Sequence, residues 1–238
     1  MNEELLKEKL LAGGASLVGF CKIDRSPIEG MPELCYAVSI ACKLSDAVLA
    51  TITEERPSIM YFQHYRAVNA RLDQLALTAV FELEKLGFQA FPIAASQSIN
   101  DDKSAYRGVF PHKTAACLSG LGYIGKSGLL LTERYGSKVR FATVLTDMPL
   151  SREGERKDLS CGNCNVCRDA CPAGAISGIE YKEGMRREEF FDAEKCSNNM
   201  KRYKDVGRGA VCGICIRVCP RNRLGKRKQD GSVTEAGE

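Results

Sequence analysis

The 238 residues, 44% apolar and 27% charged, exclude a disordered or fibrous chain and suffice for one large domain or two modest ones. A net charge of +4 excludes no partner class, although Arg186 to Lys228 carries thirteen Lys or Arg against five Asp or Glu. That stretch serves either to attract an acidic partner or a polyanion, or as a solvated face.

The charged, amphipathic start Met1–Lys7 is no secretory signal, and no apolar run approaches the roughly 20 residues of a bilayer span. A soluble, cytoplasmic protein without a membrane partner is expected. Residues 3–12 have helical apolar spacing, stopped by Gly13-Gly14. Ser16 to Ile23 and Leu34 to Cys42 read as buried strands. Tyr61 to Leu86 repeats apolar residues at helical spacing and ends at Gly87, with a strand from Phe88 to Ala94 behind it. Lys113 to Ser119 suggests a short helix, and Leu129 to Thr132 and Val139 to Thr146 suggest strands. Interleaved helices and strands argue for a sheet covered by helices. The polar stretch Ser151–Lys157 reads as a linker, so the division expected is 1–150, 151–220 and a charged, fraying tail 221–238.

In a reducing compartment, twelve cysteines point to metal before disulfides. Cys21, Cys35, Cys42 and Cys117 stand singly among apolar neighbours and read as small buried residues. Eight others crowd between 161 and 219. Cys161-x2-Cys164-x2-Cys167-x3-Cys171-Pro172 matches the bacterial ferredoxin run, in which three close thiolates wrap one cubane and the fourth reaches the other. Cys212-x2-Cys215-x3-Cys219-Pro220 repeats its last three positions, with Gly209 where a leading cysteine would fall. Two 4Fe–4S clusters follow: one on Cys161, Cys164, Cys167 and the crossing Cys219, the other on Cys212, Cys215 and the crossing Cys171. The second is one thiolate short, and Cys196 is the unused cysteine that completes it. Paired C-x2-C motifs also hold zinc, but a triple run followed by its own partial repeat favours iron and sulfide.

Upstream, Gly120-Leu121-Gly122-Tyr123-Ile124-Gly125-Lys126-Ser127 brings three glycines within six residues. It follows a helical pattern rather than a strand, so it is neither a dinucleotide fingerprint nor a phosphate loop. It reads as a tight turn or as a backbone cradle for a ligand. Followed by Tyr135-Gly136-Ser137, by Leu145–Leu150 and by the cysteine runs, it resembles the epoxyqueuosine reductase family.

That resemblance implies an α+β chain: a nitroreductase-like or reductive-dehalogenase-like cofactor domain, then a bacterial-ferredoxin-like double-cluster domain. It implies a cobalamin-dependent reductase, with Gly120, Leu121, Gly122, Tyr123, Gly125, Lys126 and Ser127 lining the corrinoid site. It also implies a ferredoxin- or flavodoxin-type electron donor and a small-molecule or modified-nucleoside substrate. FMN in place of cobalamin, and a carrier that reductively activates a corrinoid protein, are the alternatives. The family's helical-repeat extension that binds tRNA has no counterpart here, so tRNA is not an expected partner. Where the family carries the proton-donating Asp of a Val-Asp-Ser-Ala-Pro segment, Phe91–Gln97 has no carboxylate, and Asp101 and Asp102 come several residues later. His112 is then the candidate acid, with Tyr106 and Tyr123 as further proton carriers and His64 as a packed residue.

Overall fold

The structure, a computed structural model, describes residues 3–97, 99–101, 104–151, 159–207, 209 and 211–223. Its centre is a four-stranded antiparallel sheet in the order β1 (Leu17–Lys22), β2 (Tyr36–Lys43), β8 (Val139–Thr146), β3 (Ala90–Ile93). Period-two alternation sends successive side chains to opposite faces, and both faces are covered. Val18, Phe20, Val38, Ile40, Ala142 and Val144 turn toward α1 (Glu3–Ala12) and α3 (Ile59–Glu84), where Leu6, Leu10, Leu72, Leu75, Ala79 and Leu83 meet them. Cys21, Ala37 and Leu145 turn to the opposite side, against Ala115 of α4 (His112–Leu118), while Ala41 and Phe141 pack with Ala116.

The expected strands and the three main helices are present, α1 and β8 with the expected bounds and the others with shifted ends. The long helix begins at Ile59 because the Ser58 hydroxyl accepts the Tyr61 N–H at 3.0 Å, which satisfies a donor that the helix itself leaves open. Four short features were not anticipated: α2 (Asp46–Ala50), a hairpin of β4 (Ile99–Asp101) and β5 (Ser104–Arg107), and a strand β6 (Gly122–Ile124) paired with β7 (Leu130–Thr132). The fourth is α6 (Ala193–Met200), in the insertion between the cysteine runs. The cysteine runs themselves carry only the single turns α5 (Val166–Asp169) and α7 (Ile214–Arg217).

The second run is packed onto the sheet layer. Ile214 and Ile216, 1% and 6% exposed, belong to the same buried cluster as Phe20 and Leu72. Asn222 accepts from Ser137 N–H at 2.8 Å and donates to the Ile216 carbonyl at 2.5 Å. Residues 221–223 are therefore not the start of a fraying tail: they form a tight turn tied to the sheet side of the molecule. Residues 224–238 and most of the expected linker, 152–157, lie outside the described residues; Ser151 at its start bonds through N and Oγ to the Glu3 carboxylate. Among the described residues no helix is long and apolar enough to cross a membrane.

Candidate functional site

The eight clustered thiols sort by their neighbours. Cys167 is pushed up to about 11, first by burial and then by Cys161, Cys219 and Cys164. Cys196 is likewise pushed up to about 11 by burial, then by Cys212 and Cys171. Cys215 is raised by burial and then by Cys212 and Cys196, with Cys167 and Cys171 beyond. Cys161, Cys164, Cys167 and Cys219 thus neighbour one another, as do Cys171, Cys196, Cys212 and Cys215, with Cys167 also acting on Cys215. Backbone N–H groups point at the sulfurs, as from Ala175 to Cys171 at 3.4 Å.

Among the described residues no three or more His, Cys, Asp or Glu gather closely enough to hold a lone metal ion. A cubane asks for thiolates that stand apart at its corners rather than crowd on one ion.

The glycine segment meets the first of these groups. Gly125 approaches Cys161 so closely that an added Cβ would lie 3.1 Å from its Sγ. Gly122 sits against the Leu131 carbonyl across the β6–β7 hairpin, where a Cβ has no room. Burial raises the Cys161 thiol's affinity for its proton and the Lys126 backbone N–H offsets part of that rise, while the Lys126 ammonium reaches the Gly162 carbonyl at 2.7 Å and Asn165 Oδ1 at 3.2 Å. Tyr123 donates to the Ser160 carbonyl at 3.3 Å, and the Ser127 hydroxyl accepts from Leu129. Gly120, Leu121 and Gly122 line a separate small pocket of about 240 Å³ beside Leu159. None of the seven residues lines the large cleft. Within the segment, Gly125, Tyr123 and Lys126 contact the first cysteine loop.

The large cleft, about 1220 Å³, lies between the sheet layer and the second thiol group. Arg140 of β8, Lys113 and His112 of α4, Tyr65 of α3, Cys196 of α6 and, in the turn before it, Arg187 share its wall. Arg140 donates to Asn69 Oδ1 at 3.0 Å, Tyr65 Oη at 2.9 Å and the Ala95 carbonyl at 3.1 Å, and stacks 4.3 Å from the Tyr65 ring centre. Tyr106 is held at φ +64, a left-handed conformation that costs a non-glycine residue energy, and Arg187 donates to its carbonyl at 2.6 Å. Sequence reasoning missed Arg140, Lys113 and Arg187 as cleft residues. The one available signal was an arginine inside the otherwise uncharged strand Val139–Thr146.

His112 reaches the cleft but is not built as an acid. One ring nitrogen lies 2.8 Å from Thr143 Oγ1 and the other 2.9 Å from the Ala94 carbonyl. Burial above all pulls its proton affinity down to about 4, so the ring is neutral near pH 7. His64 accepts the Ser45 N–H at 2.9 Å, as a packed residue does. Of the four isolated cysteines, Cys21 and Cys42 are buried as expected, while Cys35 and Cys117 are only half-buried. Ala95, Ser96 and Gln97, at the strand end where the resemblance expects a carboxylate, line the cleft with none; Asp102 lies outside the described residues.

Residues 160–222 match the family model of the 4Fe–4S double cluster binding domain. Two curated relatives extend the match upstream. The chain is 30% identical to an epoxyqueuosine reductase of Staphylococcus aureus over 129 residues, which cover 54% of this chain and 34% of that protein. It is 32% identical to a tetrachloroethene reductive dehalogenase of Desulfitobacterium hafniense over 236 residues, which cover 92% and 39%. The chain is similar to members of both reductase families.

The fold agrees with that relationship. A reductive dehalogenase structure described as suggesting a mechanism for B12-dependent dehalogenation superposes over 91% of this chain and 31% of its own, with TM-score 0.67 and 21% identity. The chain spans between a third and two-fifths of the length of the two curated relatives. What it shares with these reductases is the mixed α/β layer and the double-cluster segment.

Proposed function

We propose that the chain is an iron–sulfur reductase whose clusters serve a corrinoid seated in the large cleft. Residues 1–150 form the cofactor-bearing part and 151–220 the cluster-bearing part. Cys161, Cys164, Cys167 and Cys219 hold one cluster, and Cys171, Cys196, Cys212 and Cys215 the other. When bound, the clusters supply electrons one at a time and a corrinoid supplies a cobalt centre for reductive bond cleavage.

The observation that carries this reading is Cys196. It is assigned to the second thiol group and lies in the wall of the cleft. The second cluster then adjoins the cleft, and the first, beside Tyr123 and Lys126, is the more distant of the two. The cleft's volume exceeds the roughly 300–1,000 Å³ of ordinary ligand pockets, which suits a large cofactor with a small substrate beside it. The chain's own groups have distinct tasks there. Neutral His112, fixed by Thr143 and the Ala94 carbonyl, holds a wall without adding charge. The strained Tyr106 brings a phenol to the cleft. Lys113 and Arg140 supply positive charge.

Protein reconstituted anaerobically with iron and sulfide, in the dark, tests the reading. Hydroxocobalamin should be retained through gel filtration at one per chain, with its own absorption bands beside those of the clusters. Retention of FMN in its place makes the chain a flavin reductase, and retention of neither makes it an electron carrier.

A further inference from the structure

We infer that the large cleft selects a substrate with an oxyanion head, a carboxylate or a phosphate, on an apolar body. This rests on the cleft being the reaction site proposed above.

Five cations line the cleft, Lys113, Arg140, Arg187, Lys201 and Lys204, and among the described lining residues there is no Asp or Glu. Lys113 and Arg140 are the deep pair. Lys113 donates to the Gly128 carbonyl, and Arg140 to an amide oxygen, a phenol and a carbonyl. All four acceptors are neutral. A half-buried cation hydrogen-bonded only to neutral dipoles has no anion in direct contact, and an incoming oxyanion supplies one. The strain is visible in Lys113, whose proton affinity falls to about 8 through burial first, then through Arg187 and Arg140. Tyr65, which also lines the cleft, accepts from Arg140 through Oη and keeps its own hydroxyl proton to donate. Ile93, Phe110, Leu130 and Phe141 line the same cleft and suit an apolar body. An anion at this place lies in the compartment that Cys196 borders.

The test uses the iron–sulfur protein and three probes of one shape: benzoate, phenyl phosphate and the neutral benzamide. Calorimetry should give one saturable site, with benzoate or phenyl phosphate at least about tenfold tighter than benzamide. The preference should weaken as salt is raised. Lys113→Gln and Arg140→Gln, at undiminished iron content, should each lower the affinity for the anions about tenfold and leave benzamide unchanged. Binding of benzoate and of phenyl phosphate no tighter than that of benzamide by the unaltered protein overturns the inference, whether or not the variants fold. So does an anion preference that survives both substitutions.

A corrinoid arm separates the two sources of oxyanion. Cobinamide lacks the nucleotide phosphate of cobalamin. If cobalamin displaces benzoate and cobinamide does not, the cations serve the cofactor and the substrate assignment fails. If neither corrinoid is retained, the functional reading above falls, and the benzoate arm, run without corrinoid, still decides the anion preference.

Discussion

The Lys126 ammonium donates to the Gly162 carbonyl at 2.7 Å, binding the glycine segment to the loop between the first two cysteines. Lys126 is only 7% exposed, so its charge stands in a poorly screened place beside the first thiol group. Lys126→Gln should keep the iron and lower the first cluster's reduction potential by on the order of 50 mV, the one-electron equivalent of a ~1 kcal/mol interaction. An EPR-monitored redox titration reads this. An unchanged potential means the charge does not reach the cluster.

Gly122→Val separates the two readings of the glycine segment. A side chain there meets the Leu131 carbonyl and should destabilise the protein by at least about 2 kcal/mol, with loss of iron from the adjoining cluster. Denaturant unfolding and iron analysis check it. Loss of corrinoid affinity with iron and stability intact would restore the segment as a cofactor cradle.

Cys196→Ser should remove about half of the iron, because only the second thiol group loses a member. The remaining cluster should keep its own EPR signal. A variant with its full iron refutes the ligand count.

His112 titrates near 4 in the folded chain against 6.5 ordinarily. The folded state resists that proton, so this contribution to stability is whole above about pH 6.5 and is lost as pH falls toward 4, by up to about 3 kcal/mol. Anaerobic denaturant unfolding between pH 7.5 and 4.5 should show a steeper loss in the parent than in His112→Gln. Parallel curves would mean that the ring is not protected from protonation.

Much of the architecture was legible in the residues. Val139–Thr146 was read with its observed bounds because two buried faces demand an almost unbroken apolar strand. The cysteine runs were legible because cubane ligation imposes spacing on the chain. Cys196 was reached only by counting: α6 is polar, and nothing in its own pattern marks a ligand. The neighbour of the glycine segment was illegible because close backbone approach looks the same in sequence whether that neighbour is a cofactor or Cys161. Lys113 and Arg140 were illegible as a pair: they lie 27 positions apart, and the packing of α4 against the sheet brings their charges together.

The embedding of Ile214 and Ile216 among Phe20 and Leu72 has a cellular consequence. The turn that carries Cys212 and Cys215 doubles as part of the hydrophobic floor under the helices. A chain short of iron would then have difficulty completing its interior and would be open to proteases. Metal supply would govern how much of this protein accumulates, as well as how much of it is active.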